Sequence, residues 1–131
     1  MYTASTMRPR NTELGELLKG HTPTLLLAVL RDGPLHGYAI AREIERRSKE
    51  ALRLGEGSLY PALRTLEQEG LIISRWETQP AGPARKVYAL TETGAAELIK
   101  RMRSWRDFVQ AIEDVIGGIP HVQQPTGTLS G

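Results

Sequence analysis

Between Gly57 and Ile72 the chain carries the residue types that read a polyanion. Ser58, Tyr60, Pro61, Arg64, Thr65 and Gln68 share one face of the segment 58–69 at helical spacing, while Leu59, Leu63 and Leu66 fall on the other. The first face offers hydroxyls, an amide, an aromatic ring and a guanidinium, the groups that pair with base edges and phosphates in a duplex. The carboxylates of this segment, Glu67 and Glu69, lie near its C-terminal end, away from a tip that enters a groove. Arg64 and Thr65 are the groove-facing candidates. An arginine can hold a guanine edge in bidentate fashion, although a surface arginine more often meets a phosphate or water. Tyr60 divides evenly between a hydroxyl contact to phosphate and a ring packed on the preceding helix.

A second set of candidates lies outside this helix. Arg85 and Lys86 alternate along a strand after the loop containing Gly82, so unless the wing twists at most one readily points to DNA from that face and the other is expected to be a solvated edge charge. His36 could donate to a phosphate beside a helix N-terminus, with Tyr38 and Arg42 following on that helix, yet a lone loop histidine is more often structural. His21, His36 and His121 lie in separate segments without ligand spacing, and no nucleophile, base and orienting group form a recognisable motif. Neither a metal site nor an enzyme is expected.

The elements that position these groups follow from caps and breakers. Asn11 or Thr12 caps a short helix through Leu14, Leu17 and Leu18, and Thr22-Pro23 supplies an N-cap with proline at the first helical position. Leu25 to Leu30 make a buried segment that Gly33-Pro34 ends. A helix over 37–49 buries Tyr38 or Ala39, Ile40, Ala41 and Ile44, and turns Arg42, Arg46, Arg47 and Lys49 outward. The next helix starts with Ser58 as its N-cap, which leaves Pro61 in the first turn, where a missing N–H costs nothing. Segments 71–77 and 85–90 are rich in Ile, Val, Trp and Tyr, and the loop Gln79-Pro80-Ala81-Gly82-Pro83-Ala84 between them makes a hairpin.

Thr91 caps a last helix over 92–116. Leu98, Met102, Trp105, Val109, Ile112 and Ile116 are spaced four, three, four, three and four residues apart, the seam of a coiled coil, with Ile99, Phe108 and Val115 flanking it. A second copy of the chain is the partner that suits such a stripe, because two-fold symmetry presents two reading helices to a palindrome. Trp105 at the seam is foremost a core residue; with its symmetry mate it could also bracket a flat apolar compound.

Composition agrees with a soluble, cytoplasmic protein. The 131 residues are 40% hydrophobic and 24% charged, and carry a net charge of +2 and no cysteine. Disulfides, thiolate catalysis and cysteine-bound zinc are therefore excluded. A mildly basic balance permits nucleic-acid binding without demanding it. No apolar run reaches bilayer length and none follows Arg8 and Arg10, so neither a membrane span nor a secretory signal is expected.

The chain resembles the PadR family of transcriptional regulators. The resemblance is carried by Gly33-Pro34-Leu35-His36-Gly37-Tyr38, by Ser58-Leu59-Tyr60-Pro61-Ala62-Leu63 with Leu66-Glu67 and Gly70-Leu71-Ile72, by Trp76, and by Gly82-Pro83-Ala84-Arg85-Lys86-Val87-Tyr88 with Leu90-Thr91-Glu92-Thr93-Gly94. It covers roughly residues 20–117. It implies a dimeric winged-helix repressor, in many members released from DNA by a small, often aromatic or phenolic, molecule or by stress signals. A single helix after the wing, residues 71–90, and a proline-containing tail set this chain apart from members with large C-terminal domains.

The expected architecture is mainly α with a small β-hairpin: a flexible arm over 1–10, a winged helix-turn-helix over 11–91, a dimerisation helix over 92–117 and a disordered tail over 118–131. No cofactor is expected. The rival reading is a winged helix that binds protein through its last helix, since fold alone does not fix function.

Overall fold

The computed structural model describes residues 15–118. The expected arm, the cap at Asn11 or Thr12, Leu14, His121 and residues 119–131 of the expected tail lie outside the described residues. A helical turn over 15–19 leads into α1 (Thr22–Leu30), β1 (Leu35–His36), α2 (Gly37–Arg47), α3 (Glu56–Gln68), β2 (Ile72–Glu77), β3 (Arg85–Leu90) and α4 (Glu92–Ile116).

The apolar faces read from the sequence meet in one core. Leu26, Leu27 and Leu30 of α1, Ile40 and Ile44 of α2, Leu59, Leu63 and Leu66 of α3, and Ile72 and Val87 of the sheet are all buried. Each such side chain contributes about 1.5–3 kcal/mol by leaving water. The hairpin turns out to be part of a three-stranded antiparallel sheet of order β1-β3-β2, with Leu35 opposite Tyr88 and His36 opposite Val87. β3 is thus the central strand at Val87 and Tyr88, while Arg85 and Lys86 lie beyond the reach of β1 and pair with β2 alone. Two residues are too few to show a period of two, so β1 had no signal in the sequence.

Three helix ends differ from the expected ones. Thr22 does not cap α1; its hydroxyl donates to the Leu18 carbonyl at 3.1 Å, His21 precedes the helix, and Pro23 is the second helical residue. α2 stops at Arg47 instead of Lys49, because Lys49 and Glu50 adopt left-handed backbone with φ of 55° and 67° and the Glu50 N–H donates to the Glu45 carbonyl. No glycine marks that stop. α3 begins at Glu56 after an extended Gly55, so Ser58 is not its N-cap and Pro61 sits in the second turn. The missing Pro61 N–H leaves the Gly57 carbonyl without its helical donor, a loss that water offsets because Gly57 is exposed.

The start of α4 is fixed as the sequence suggests. The Thr91 hydroxyl oxygen accepts from the Gly94 N–H at 2.9 Å, and the hydroxyl hydrogen faces the carbonyls of Gly70 and Leu71 at 2.8 and 3.0 Å. Gly94 is required by a close approach: a Cβ there would lie 2.0 Å from the Leu71 carbonyl oxygen, a backbone atom that cannot turn aside. The chain divides into two compact parts, Met1–Lys100 and Arg101–Gly131.

Candidate nucleic-acid interface

α3 presents the face its sequence promised. Ser58, Pro61, Arg64, Thr65 and Gln68 are exposed, while Leu59, Leu63 and Leu66 are sealed inside. The Thr65 hydroxyl donates to the Pro61 carbonyl at 3.1 Å. What remains of Thr65 for a base edge is a pair of acceptor lone pairs and a methyl group.

The Tyr60 ring packs on the start of α2. It lies over Gly37, where a Cβ would come 2.7 Å from Cε1 and 3.1 Å from the hydroxyl, and the residue keeps 37% of its surface exposed. Glycine at position 37 therefore lets α3 dock against the first turn of α2. Tyr88 closes the same region from β3: burial, then the Glu67 carboxylate and Tyr60, push its phenol up, with Arg64 opposing. Tyr60, Arg64, Glu67 and Tyr88 thus form one neighbourhood between α3 and the sheet.

The wing's two cations part as strand alternation requires. Arg85 turns to the start of α2, with Nη1 3.4 Å from His36 Nδ1. Lys86 stands on the opposite face, 5.8 Å from the Tyr88 ring and 5.9 Å from the Trp76 ring. Gly82 holds the loop with φ +90°, and the Gln79 side-chain amide donates to the Pro83 carbonyl across it.

At the start of α2, no side chain caps the first turn, so its N–H groups remain open to an anion. Tyr38, expected as a possible core residue, is 62% exposed, with the Arg42 guanidinium 5.7 Å from its ring centre. A cleft of about 700 Å³ opens here between Tyr38, Arg42, His36 and Arg85. Arg47 on its wall is neutralised by Asp32 at 2.8 Å and Glu43 at 3.0 Å. Hydrogen bonds from Arg46 and Arg47 hold the Glu43 carboxyl at about 2, well below the usual carboxylate range. Arg42 and Arg85 have no carboxylate partner among the described residues, so their charges stay available.

The seam of α4 is divided. Leu98 is 1% exposed and belongs to the core of its own chain, which corrects its place in the expected dimer contact. Met102 and Val109 are half-buried, whereas Trp105, Ile112 and Ile116 are exposed together with Phe108 and Val115. The signal separating Leu98 from the rest was the short distance to the Thr91 cap, which ties the first turns of α4 to the sheet.

Among the described residues no cluster of His, Asp or Glu could hold a metal ion, and no helix is long and apolar enough to cross a membrane. Trp76, which the sequence reading gave no role, is 68% exposed on β2 opposite Lys86.

Known proteins share both the pattern and the fold. Residues 26–100 match the model of the transcriptional regulator PadR-like family. Transcriptional regulator Rv3488 of Mycobacterium tuberculosis is 33% identical over 90 residues, 69% of this chain and 78% of that protein. A PadR family transcriptional regulator from Eggerthella lenta superposes with a TM-score of 0.74 at 24% identity, covering 87% of this chain and 97% of the other. Bacillus subtilis PadR, solved in complex with operator DNA, matches 62% of this chain and 47% of its own length at 30% identity and a TM-score of 0.57. With its family match spanning more than half of the sequence, the chain belongs to the PadR-like family of transcriptional regulators.

Proposed function

We propose that the protein is a homodimeric repressor that reads a palindromic operator with α3 and clamps the flanking backbone with the start of α2 and the wing. The observation that carries this reading is the exposed, hydrogen-bonding face of α3, in a domain that also gathers Arg42 and Arg85 at the start of α2 and sets Lys86 on the opposite face of β3. The operator complex of Bacillus subtilis PadR supports DNA as the partner. Phosphates supply most of the affinity and base edges the selectivity, so the two sets of residues should fail differently when altered.

Replacing Arg64 or Thr65 by alanine is expected to change which base pairs are preferred, at about 1–3 kcal/mol for each lost specific contact. Replacing Arg85 or Lys86 is expected to weaken all sequences alike and to flatten the salt dependence. Binding selections with randomised duplexes, run at two salt concentrations, separate the outcomes. A changed sequence preference in the wing variants and an unchanged one in Arg64→Ala would reverse the assignment.

A flat aromatic effector bound beside Trp105 releases the protein from DNA. The exposed indole at the centre of the α4 stripe supports this. A compound that releases DNA is expected to quench or shift Trp105 emission, measured in the Trp76→Phe protein to remove the other indole. Unchanged emission would remove Trp105 from the effector site.

A further inference from the structure

Trp76 is a large aromatic left 68% exposed on a strand, and nothing in the core or the helix contacts accounts for it. It stands opposite Lys86 in the β2–β3 register, and opposed residues share a face of the sheet. Ser74 and Tyr88 lie on that same face, with the Ser74 hydroxyl donating to the Glu67 carboxylate of α3 at 2.6 Å. Trp76 is therefore one step outward, along the wing, from the contact that joins the sheet to the reading helix.

Its surroundings select one kind of partner. The Lys86 ammonium lies between the Tyr88 and Trp76 rings, which fixes a positive charge beside one side of the indole. Arg64 and the Glu67 carboxylate act on Tyr88 with opposite signs and offset each other, which leaves the Lys86 ammonium as the charge beside Trp76. On the opposite face Arg75 and Glu77 cancel each other in a 2.9 Å ion pair. A partner drawn to the Trp76 side is thus anionic. Indole Nε1–H only donates, so it needs an acceptor such as a phosphate oxygen, and the remaining ring surface needs something apolar and flat-sided.

We propose that Trp76 contacts the operator backbone, packing its indole on a deoxyribose outside the base pairs read by α3 and donating from Nε1–H to the adjoining phosphate, which Lys86 neutralises. The inference rests on the DNA-binding reading given above and adds a neutral, ring-based contact to the cationic ones. It makes the wing a positioning device as well as a charge clamp.

The test uses the full chain and a duplex from the gene's own upstream region. Trp76→Ala is expected to bind about tenfold more weakly, with Trp76→Phe in between. The slope of log Kd against log salt should stay at the wild-type value, because no charge has been removed. In protein labelled with 5-fluorotryptophan, the ¹⁹F resonance that disappears in Trp76→Phe should shift when duplex is added. Circular dichroism checks that Trp76→Ala is folded, and Trp76→Phe carries the test if it is not. Wild-type affinity in both variants, with a stationary Trp76 resonance, would overturn the proposal while leaving the DNA-binding reading intact. A loss of self-association in Trp76→Ala with unchanged DNA affinity would also overturn it, in favour of a contact between copies. A wild-type protein that binds no duplex would overturn both readings.

Discussion

Ile112→Asp is expected to leave a folded monomer that no longer binds its operator at concentrations where the wild type saturates it. Ile112 is 38% exposed in the middle of an apolar stripe with Trp105, Phe108 and Ile116, and contiguous apolar stripes of this kind commonly mark a contact surface. If two copies of α4 cover it, a two-fold axis brings both aspartates to the same contact, where each loses water and meets a like charge. The effective penalty of burying an unpaired ion is several kcal/mol, enough to dissolve a contact of this size. One wing and one reading helix then act alone, and the avidity of linked half-sites, about 10²–10⁴ in apparent affinity, disappears. Sedimentation and a duplex titration give the two readouts, with Ile112→Val as the conservative control. A dimeric Ile112→Asp protein would remove α4 from the dimer contact.

The parts of this molecule legible in the sequence are those in which one local rule acts alone. Leu59, Leu63 and Leu66 repeat at helical spacing, and they are buried while Arg64, Thr65 and Gln68 face outward. The hairpin strands fall within a residue of the expected bounds, since β-branched runs around a Gly-Pro loop leave little choice. The Thr91 cap was visible for the same reason.

What escaped the sequence depended on contacts between distant segments. β1 exists because residues 35 and 36 pair with 87 and 88, a partnership that no window of sequence displays. Tyr60 packs over Gly37 because the two meet across the helix-turn-helix, which also explains why the glycine is there. The start of α3 moved to Glu56 because an extended Gly55 can open a helix without a side-chain cap, and Ser58 only looked like one. Leu98 continued the seam in spacing but was drawn into the core by the tether at Thr91 and Gly94. The ring contacts of Lys86 with Trp76 and Tyr88 required the cross-strand register. Alternation alone placed Lys86 on one face without saying what shared that face.

A salt titration decides whether the protein binds duplex DNA sequence-selectively as a dimer. In the proposed dimer, Arg42, Arg64, Arg85 and Lys86 of each protomer would put about eight cations on the backbone and bases of a two-site operator, in the range where counterion release dominates affinity. Duplex from the gene's own upstream region should be protected as two half-sites about 34 Å apart centre to centre. Its affinity should fall on the order of 10³–10⁵-fold between 50 and 200 mM salt, while remaining well above that of a scrambled duplex of equal length throughout. Equal affinity for both duplexes, or binding that hardly responds to salt, would contradict the account and leave α4 as the arm of a protein-binding module.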